Sequence, residues 1–161
     1  MDIISDTNIW IDFRTIQGLE LPFRLSHRFY LSTETIINEL LVPPGITHKL
    51  VKLGLIPLEL NAAEYFAVPD IMTSHPRLSR YDALALSIAL ERKYVLLTGD
   101  KALRRAGEAA KITVKGTLWI FDELKRDNAI TNKEYQHYLN ALLEHNGKSI
   151  RLPKCEILKR L

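Results

Sequence analysis

The stretch from Ser79 to Arg105, SRYDALALSIALERKYVLLTGDKALRR, contains the pattern that determines the architecture. Almost every side chain from Tyr81 to Leu90 is apolar or small, which predicts a helix buried against a sheet rather than a surface helix. Residues 95–98 form an apolar run that predicts a buried strand, and Gly99 and Asp100 mark the start of another helix. Helix, buried strand and helix form the repeating unit of a parallel α/β sheet.

The rest of the chain adds further units of the same kind. Apolar and β-branched runs predict four more strands, at 3–4, 28–32, 55–60 and 112–114, and Pro57 places the third near a sheet edge. Capping residues and breakers predict further helices, which begin at Ile9 and otherwise cover 33–41, 46–53, 61–67, 117–126 and 131–144. The segment from Pro69 to Pro76 is predicted to be a loop or irregular turn.

The composition limits the classes of protein to which the chain could belong. The 161 residues are 47% hydrophobic and 25% charged, as expected for one globular domain with a sizeable core. The single cysteine, Cys155, excludes an internal disulfide framework and a Cys-based zinc site, and it fits a reducing compartment. The N-terminus has neither a basic region nor a long apolar run, so we expect no signal peptide, no membrane span and a cytoplasmic location.

Four acidic residues are the candidate site. Asp6 and Asp100 each follow a predicted strand, and ligands of open α/β sheets bind outside the carboxyl ends of the strands. A doubly wound sheet commonly places its first strand beside its fourth, which would bring these two acids together. Asp82 opens the helix leading into the fourth strand, and Glu39 lies on the helix after the second strand. Two further acids are alternatives that the pattern does not exclude, Asp12 and Glu34.

Helix capping is the competing interpretation for two of these acids. Ser79 is a good N-cap, and Asp82 lies three residues later, where the acidic partner of a capping box lies. Asp100 precedes the next helix and could be its N-cap. Taken singly, each residue fits this structural role better than a catalytic one. The other acids of the chain are what favour a site.

Clustered carboxylates predict a divalent cation. Carboxylates within a few ångströms repel one another and raise one another's pKa, and a bound cation removes that repulsion. Oxygen ligands favour Mg²⁺ or Mn²⁺ over zinc, and such a metal can activate a water and neutralise charge on a phosphodiester. Gly99 and Gly116 are isolated, so the chain lacks a glycine-rich phosphate loop.

The charge distribution favours a polyanionic substrate. The net charge is +3, and when the four candidate acids are set aside, 22 Lys and Arg stand against the 15 Asp and Glu that remain of 19. Basic residues near a metal-filled acidic pocket can hold a phosphate backbone. Any one of them could instead be a solvated surface charge. The candidates for RNA binding flank Asp82 and Asp100 in the sequence: Arg80, Lys101, Arg104 and Arg105.

Four blocks of sequence together resemble the motifs of PIN-domain nucleases, and among them the VapC-type toxins of prokaryotic toxin–antitoxin pairs. The blocks are Ser5–Asn8, Asn38–Leu40, Tyr81–Ala85 and Leu97–Leu103. They occur in the family's order and at fitting spacing, across about residues 2 to 125. At the position where many relatives have a further acid this chain has Ala102, so a strongly held second metal is not expected.

This resemblance implies a three-layer α/β/α sandwich around a parallel sheet of about five strands. Residues 1–161 would form one PIN-like domain, of which 128–161 are a C-terminal helical extension. The implied activity is that of a Mg²⁺- or Mn²⁺-dependent endoribonuclease, in which Asn8 and Thr98 give polar support around the metal. The implied catalytic and metal-binding residues are Asp6, Glu39, Asp82 and Asp100. A homodimer and inhibition by a small antitoxin protein are also implied.

Three functional hypotheses follow. The first is a toxin ribonuclease acting on structured RNA. The second is a housekeeping nuclease that processes RNA. An antitoxin reading frame next to the gene, or growth arrest on expression, would favour the toxin over this second hypothesis. The third is a PIN-like module that binds RNA or protein without catalysis. The presence of all four acids disfavours this third hypothesis.

Overall fold

The computed structural model describes residues 1–40 and 43–161, and the elements alternate between strands and helices along most of this length. The strands are β1 (Asp2–Ser5), β2 (Arg28–Ser32), β3 (Ile56–Leu58), β4 (Val95–Leu97) and β5 (Val114–Lys115). The helices of the first half are α1 (Thr7–Thr15), a 3₁₀ turn (Pro22–Arg24), α2 (Thr33–Asn38), α3 (Ile46–Leu53) and α4 (Ala62–Ser74). Those of the second half are α5 (Arg80–Arg92), α6 (Lys101–Ala109), α7 (Thr117–Arg126), α8 (Asn132–His145) and α9 (Lys154–Arg160).

Within the described residues the strands form one parallel sheet in the order β3-β2-β1-β4-β5. The predicted neighbourhood of the first and fourth strands is confirmed, because Ser5 of β1 pairs with Leu97 of β4. The chain runs outward from β1 in one direction and from β4 in the other. The gap between these two strands is therefore the switch point of the sheet, where ligands of this architecture bind.

Alternating side chains of the central strands supply two separate cores, one on each face of the sheet. Ile3 and Leu97 belong to the core formed with α1, α3, α7, α8 and α9, whereas Ile4 and Leu96 belong to the core formed with α4, α5 and α6. Successive residues of a strand point to opposite faces, so a strand covered on both sides is apolar throughout. The predicted three-layer α/β/α sandwich is thereby confirmed.

Helix α4 corrects one prediction. The sequence predicted that this helix ends near Ala67 and that a loop follows from Pro69, but the helix continues to Ser74 with Pro69 inside it. A proline inside a helix removes one backbone hydrogen bond and costs about 3 kcal/mol. Val68 and Ile71 lie on either side of it and are buried against the core, and burial of such side chains offsets that cost.

The C-terminal part contributes to the core rather than lying apart from it. Ile150 and Ile157 are fully buried in the same core as Ile3, and the tail contains α9, a helix that the sequence pattern did not predict. The helix predicted for 33–41 ends at Asn38, and its last predicted residue lies outside the described residues. No helix of the described chain is both long and apolar enough to cross a membrane.

Candidate active site

The backbone at the switch point places the acids at one edge of the sheet. The N–H of Asp6 donates to the carbonyl of Leu97 across a 3.1 Å N···O distance, so the ends of β1 and β4 are joined at the residue where β1 stops. The Trp10 indole, fully buried below this point, donates to the hydroxyl of Ser5 at 2.8 Å. These contacts fix the start of α1 against the sheet and therefore fix Asp6.

The four acids that the sequence predicted line one cavity of about 160 Å³, which we call the acidic cavity. Its lining side chains are Ser5, Asp6, Thr7, Asn8, Thr35, Glu39, Ser79, Tyr81, Asp82 and Asp100. None of these described side chains is basic. The cavity thus combines carboxylate oxygens with hydroxyl and amide groups, and its own lining supplies no positive charge.

Capping and cavity lining coexist at two of the acids. Oδ2 of Asp82 accepts from the N–H of Ser79 at 3.0 Å, which completes a capping box for α5, and Oδ1 of Asp100 accepts from the N–H of Leu103 at 2.8 Å as the N-cap of α6. The capping interpretation is therefore confirmed for both. Each cap uses one oxygen, and the other, Oδ1 of Asp82 and Oδ2 of Asp100, accepts no hydrogen bond from the described residues.

Asp6 is the most enclosed of the four. Its side chain caps α1, with Oδ1 accepting from the N–H of Ile9 at 3.1 Å, and Oδ2 accepts from the hydroxyl of the fully buried Thr98. The same hydroxyl oxygen accepts from the N–H of Asp100 at 3.0 Å. A threonine hydroxyl has a single proton, so accepting from Asp100 leaves that proton for Asp6. Thr98 therefore ties the two strand-end acids together.

Glu39 reaches the cavity from the far side. It is the C-cap of α2 rather than a residue inside a helix, and its Oε2 accepts from the hydroxyl of Thr7 at 2.9 Å. Asn8, the other predicted supporting residue, is exposed and lines the same cavity. Thr7, at the start of α1, thus links the segment after β1 to the segment after β2.

The carboxylates influence one another's ionisation. Burial raises the pKa of Asp6 to about 6, hydrogen bonds from Thr98 and Ile9 act against this rise, and the charges of Asp82 and Asp100 add to it. Burial also raises the pKa of Asp82, with a further contribution from the charge of Asp100. The negative charges therefore repel one another, and a cation bound near them would relieve that repulsion.

The donor set fits a hard divalent cation. Carboxylate and carbonyl-type oxygens are the ligands that Mg²⁺ and Mn²⁺ take. Across residues 1–40 and 43–161, no three His, Cys, Asp or Glu side chains are grouped closely enough to hold a metal together. Mg²⁺ commonly keeps several waters and takes only one or two carboxylates directly. The chemistry of the lining therefore suits such an ion without requiring that all four acids ligate it.

The two alternative acids lie elsewhere. Glu34 faces Arg80 and accepts from its Nε at 2.7 Å and from its Nη2 at 3.0 Å, away from the acidic cavity. Asp12 lies on the next turn of α1 after Asn8 and lines an adjoining cavity of about 330 Å³ together with Asp100. Burial raises the pKa of Asp12 to about 7, a hydrogen bond from Thr117 lowers it, and the charge of Asp6 raises it.

The four basic residues predicted to bind RNA fall into different surroundings. Arg80 is the partner of Glu34, as described above. Lys101 and Arg105 line a cavity of about 740 Å³ that also reaches Asp100. Nη2 of Arg104 donates to the carbonyl of Thr98 at 3.3 Å, so this guanidinium lies next to the residue that follows β4.

The sequence pattern missed two basic residues near the site, Lys148 and Arg151. Both line the cavity of about 330 Å³ together with Asp12 and Asp100, although they come about 50 residues after Asp100 in the chain. The signal available was the basic character of the last 14 residues, which contain five Lys and Arg and one Glu. Composition alone does not show that this tail folds back beside the acids.

Comparison with known proteins agrees with this architecture. The sequence model of the family DUF3368, described as a PIN domain, matches residues 2–157. The fold is similar to that of a PilT N-terminus domain protein from the hyperthermophilic archaeon Sulfolobus solfataricus P2, with a TM-score of 0.50 and 12% identity, covering 74% of this chain and 90% of that chain. No curated protein shows significant sequence similarity. Because the family match spans almost the whole chain, the chain belongs to the PIN-domain family.

Proposed function

We propose that the protein is a Mg²⁺- or Mn²⁺-dependent endoribonuclease whose reaction takes place in the acidic cavity. PIN domains are in general nucleases and use divalent metals. The observation that carries the proposal is the convergence of Asp6, Glu39, Asp82 and Asp100 on one cavity whose described lining contains no basic side chain. The finer assignment to RNA rests on the sequence resemblance and on the basic surroundings of Asp100.

Each acid has a distinct contribution to such a site. Asp82 and Asp100 would each bind the metal through the carboxylate oxygen that does not cap a helix. The Thr7 hydroxyl holds Glu39 in position. Asp6 is oriented by Thr98 and is ionised above about pH 6, so its charge is available at neutral pH. When bound, a divalent ion would neutralise charge on the phosphodiester and make an attacking water more acidic.

The setting of this activity is proposed from the resemblance. We place the protein as the toxin of a type II toxin–antitoxin pair, a homodimer inhibited by its antitoxin, with residues 1–161 as one domain and 128–161 as its helical extension. Phe66 and Ile37, 81% and 64% exposed, are the most exposed large apolar side chains of the described chain and offer surface for such contacts. A housekeeping RNA-processing nuclease would have the same site and would not arrest growth on expression.

A cleavage assay on total RNA tests the activity. We expect cleavage by the wild-type protein with millimolar Mg²⁺ or Mn²⁺ and none with chelator. Asp6→Asn keeps a residue that can cap α1 but removes one charge, and we expect a loss of at least about 10³-fold, or roughly 4 kcal/mol of barrier.

The matched control is Asp70→Asn, which removes the same charge from an exposed position on α4. It should cleave like wild type. Equal cleavage by wild type and Asp6→Asn, or cleavage that persists in chelator, would contradict the proposed function.

A further inference from the structure

A further cavity, of about 540 Å³, adjoins the cavity of about 330 Å³ and has a different character from the acidic cavity. We call it the basic cavity. Five basic side chains line it: Lys101, Arg104, Lys115, Arg151 and Arg160. Its only acidic lining residue among those described is Asp122, which is held by two hydrogen bonds from Arg160, at 2.7 and 2.8 Å. The other four basic side chains come from α6, β5 and the C-terminal segment.

Four of these cations lack an acidic partner. Lys101, Arg104, Lys115 and Arg151 have no carboxylate oxygen within 4.0 Å in residues 1–40 and 43–161, whereas most arginines outside this cavity in the described chain are paired. Unpaired basic groups around one concave surface attract a polyanion. The cavity therefore has the charge that a phosphate backbone requires.

The wall of the basic cavity is apolar. Trp119, Leu152 and Pro153 line it, and the indole is only partly buried. His27 stacks against that indole, with ring centres 5.5 Å apart, and Lys115 Nζ lies 6.0 Å from the indole ring centre, so the ring is held in place. Aromatic and apolar walls beside basic groups are the features that proteins use to stack unpaired bases.

The two cavities are connected. The intervening cavity of about 330 Å³ shares Asn8 and Asp100 with the acidic cavity, and it shares Gly99 and Arg151 with the basic cavity. Arg151 therefore lies at the passage between the acids and the other cations. It is placed there by the C-terminal segment, where Ile150 is fully buried and the N–H of Leu152 donates to Asn146 at 2.8 Å.

From this arrangement we infer that the basic cavity is a binding subsite for one unpaired nucleotide of a single-stranded nucleic acid that continues from the acidic cavity. Arg151, Lys115 and Lys101 hold backbone phosphates, and the wall at Trp119 receives the base. A base that is paired in a duplex cannot reach this wall, so the subsite selects single strands or loops. The inference deepens the proposed function, on which it rests for the position of the scissile phosphate.

Binding measured in chelator tests this subsite apart from cleavage. The probe is a fluorescein-labelled single-stranded RNA of 12 nucleotides, followed by anisotropy across a salt series. Arg151→Ala should weaken binding about fivefold at 0.1 M salt and should reduce the slope of log affinity against log salt by about 0.7, the value for one lost phosphate contact. Arg151 makes no hydrogen bond or ion pair in the described structure, so the variant should melt like wild type.

The control variant is Lys133→Ala. Lys133 is exposed in the first turn of α8, about 20 Å along the helix axis from Asn146, and lines neither cavity. The Lys133→Ala variant removes the same unit of charge as Arg151→Ala and should leave both the affinity for RNA and the salt slope unchanged. Equal affinities for wild type, Arg151→Ala and Lys133→Ala would overturn the inference.

Intrinsic fluorescence tests the base contact without a substitution. The chain has two tryptophans, and Trp10 is fully buried in the core, so a change on adding unlabelled RNA reports Trp119. We expect the single strand to quench the Trp119 fluorescence and an abasic strand of equal length not to quench it. The abasic strand should also bind at least about fivefold more weakly. Unchanged fluorescence with equal affinity for the abasic strand would overturn the inference.

Two competing ligands give different results in the same experiments. Tighter binding of an RNA duplex than of the single strand would contradict the subsite, and so would a polyglutamate peptide that binds as well as RNA and loses affinity in Arg151→Ala. A protein that shows the expected binding but cleaves no RNA with Mg²⁺ contradicts the proposed function and supports the subsite.

Discussion

Two buried carboxylates of this protein have opposite surroundings. Glu64, fully buried at the start of α4, accepts from Nε and Nη2 of Arg92 at 2.7 and 2.8 Å, and from the N–H of Asn61 at 2.8 Å. Burial alone would raise the pKa of Glu64, but these hydrogen bonds and the guanidinium charge lower it below its ordinary value. Asp6 is also buried, yet its pKa rises to about 6, and its charged neighbours are Asp82 and Asp100.

These surroundings distinguish a buried carboxylate whose charge is matched within the fold from one whose charge is not. Glu64 completes a capping box and an ion pair, so hydrogen bonds and a positive charge within the fold compensate its negative charge. Asp6 caps a helix too, but the fold adds negative charge around it instead of positive. A buried charge without a partner costs stability. Its presence at the switch point is understandable if a cation from outside the chain completes the site.

The largest expected effect on stability is at the matched carboxylate. Glu64→Gln removes the negative partner of Arg92 and leaves a partly buried guanidinium with neutral acceptors only, among them the carbonyl of Glu59. We therefore expect a loss of about 3 kcal/mol in the free energy of unfolding, measured by urea denaturation.

The chain offers a close control for that change. Glu134 also completes a capping box, with Thr131, and also pairs with an arginine, Arg24, but at the surface. Glu134→Gln should therefore cost much less, because water screens exposed pairs. Equal losses in the two variants would show that burial does not distinguish them.

A smaller effect is expected from pH at the unmatched carboxylate. The folded protein holds the Asp6 proton up to about pH 6, whereas the unfolded chain releases it near its ordinary value of 3.8. At Asp6 the folded state therefore binds more protons between these values, and the contribution of Asp6 to the free energy of unfolding in chelator should fall by about 2–3 kcal/mol as pH rises through them.

This contribution is isolated by comparing wild type with Asp6→Asn at each pH. The variant should gain stability relative to wild type as pH rises from 4 to 7. A constant difference across this range would show that Asp6 titrates normally. Asp12, whose pKa is raised to about 7, would extend the fall in both proteins to slightly higher pH.

The smallest effect is expected at Asp100. Asparagine caps helices about as well as aspartate, so Asp100→Asn keeps the cap of α6 and removes charge that raises the pKa of Asp6 and of Asp82. In chelator we expect the free energy of unfolding of this variant to be about 1 kcal/mol higher than that of wild type, measured by thermal denaturation. A lower melting temperature for this variant in chelator would indicate that Asp100 acts only as a helix cap.

The sequence predicted the parts of the fold that local pattern determines. Apolar runs and caps located β1, β4 and the start of α5, and the usual strand order of a doubly wound sheet predicted that Asp6 lies beside Asp100. The pattern did not predict the continuation of α4 through Pro69. Helix breaking by proline is a local tendency, and the burial of Val68 and Ile71 that overrides it depends on α5.

The candidate site shows the same limit. Strand ends and helix starts pointed to Asp6, Asp82 and Asp100. The pattern did not separate Glu39 from Glu34 or Asp12, and the resemblance to PIN-domain nucleases is what selected Glu39. Arg151 could not be placed, since its position depends on the burial of Ile150 and on the hydrogen bond between Asn146 and Leu152. Contacts of this kind join segments that no periodicity relates.

Binding of a divalent cation in the acidic cavity is tested by the melting temperature during a Mg²⁺ titration at constant ionic strength. We predict that the melting temperature of wild type rises steadily. When Mg²⁺ reaches 100 times its dissociation constant, the free energy of unfolding should be about 2.7 kcal/mol higher, which corresponds to a rise of some 5–10 °C. Asp70→Asn should rise in the same way and Asp6→Asn should hardly respond. No rise in wild type, or the same rise in Asp6→Asn, would contradict cation binding at this site.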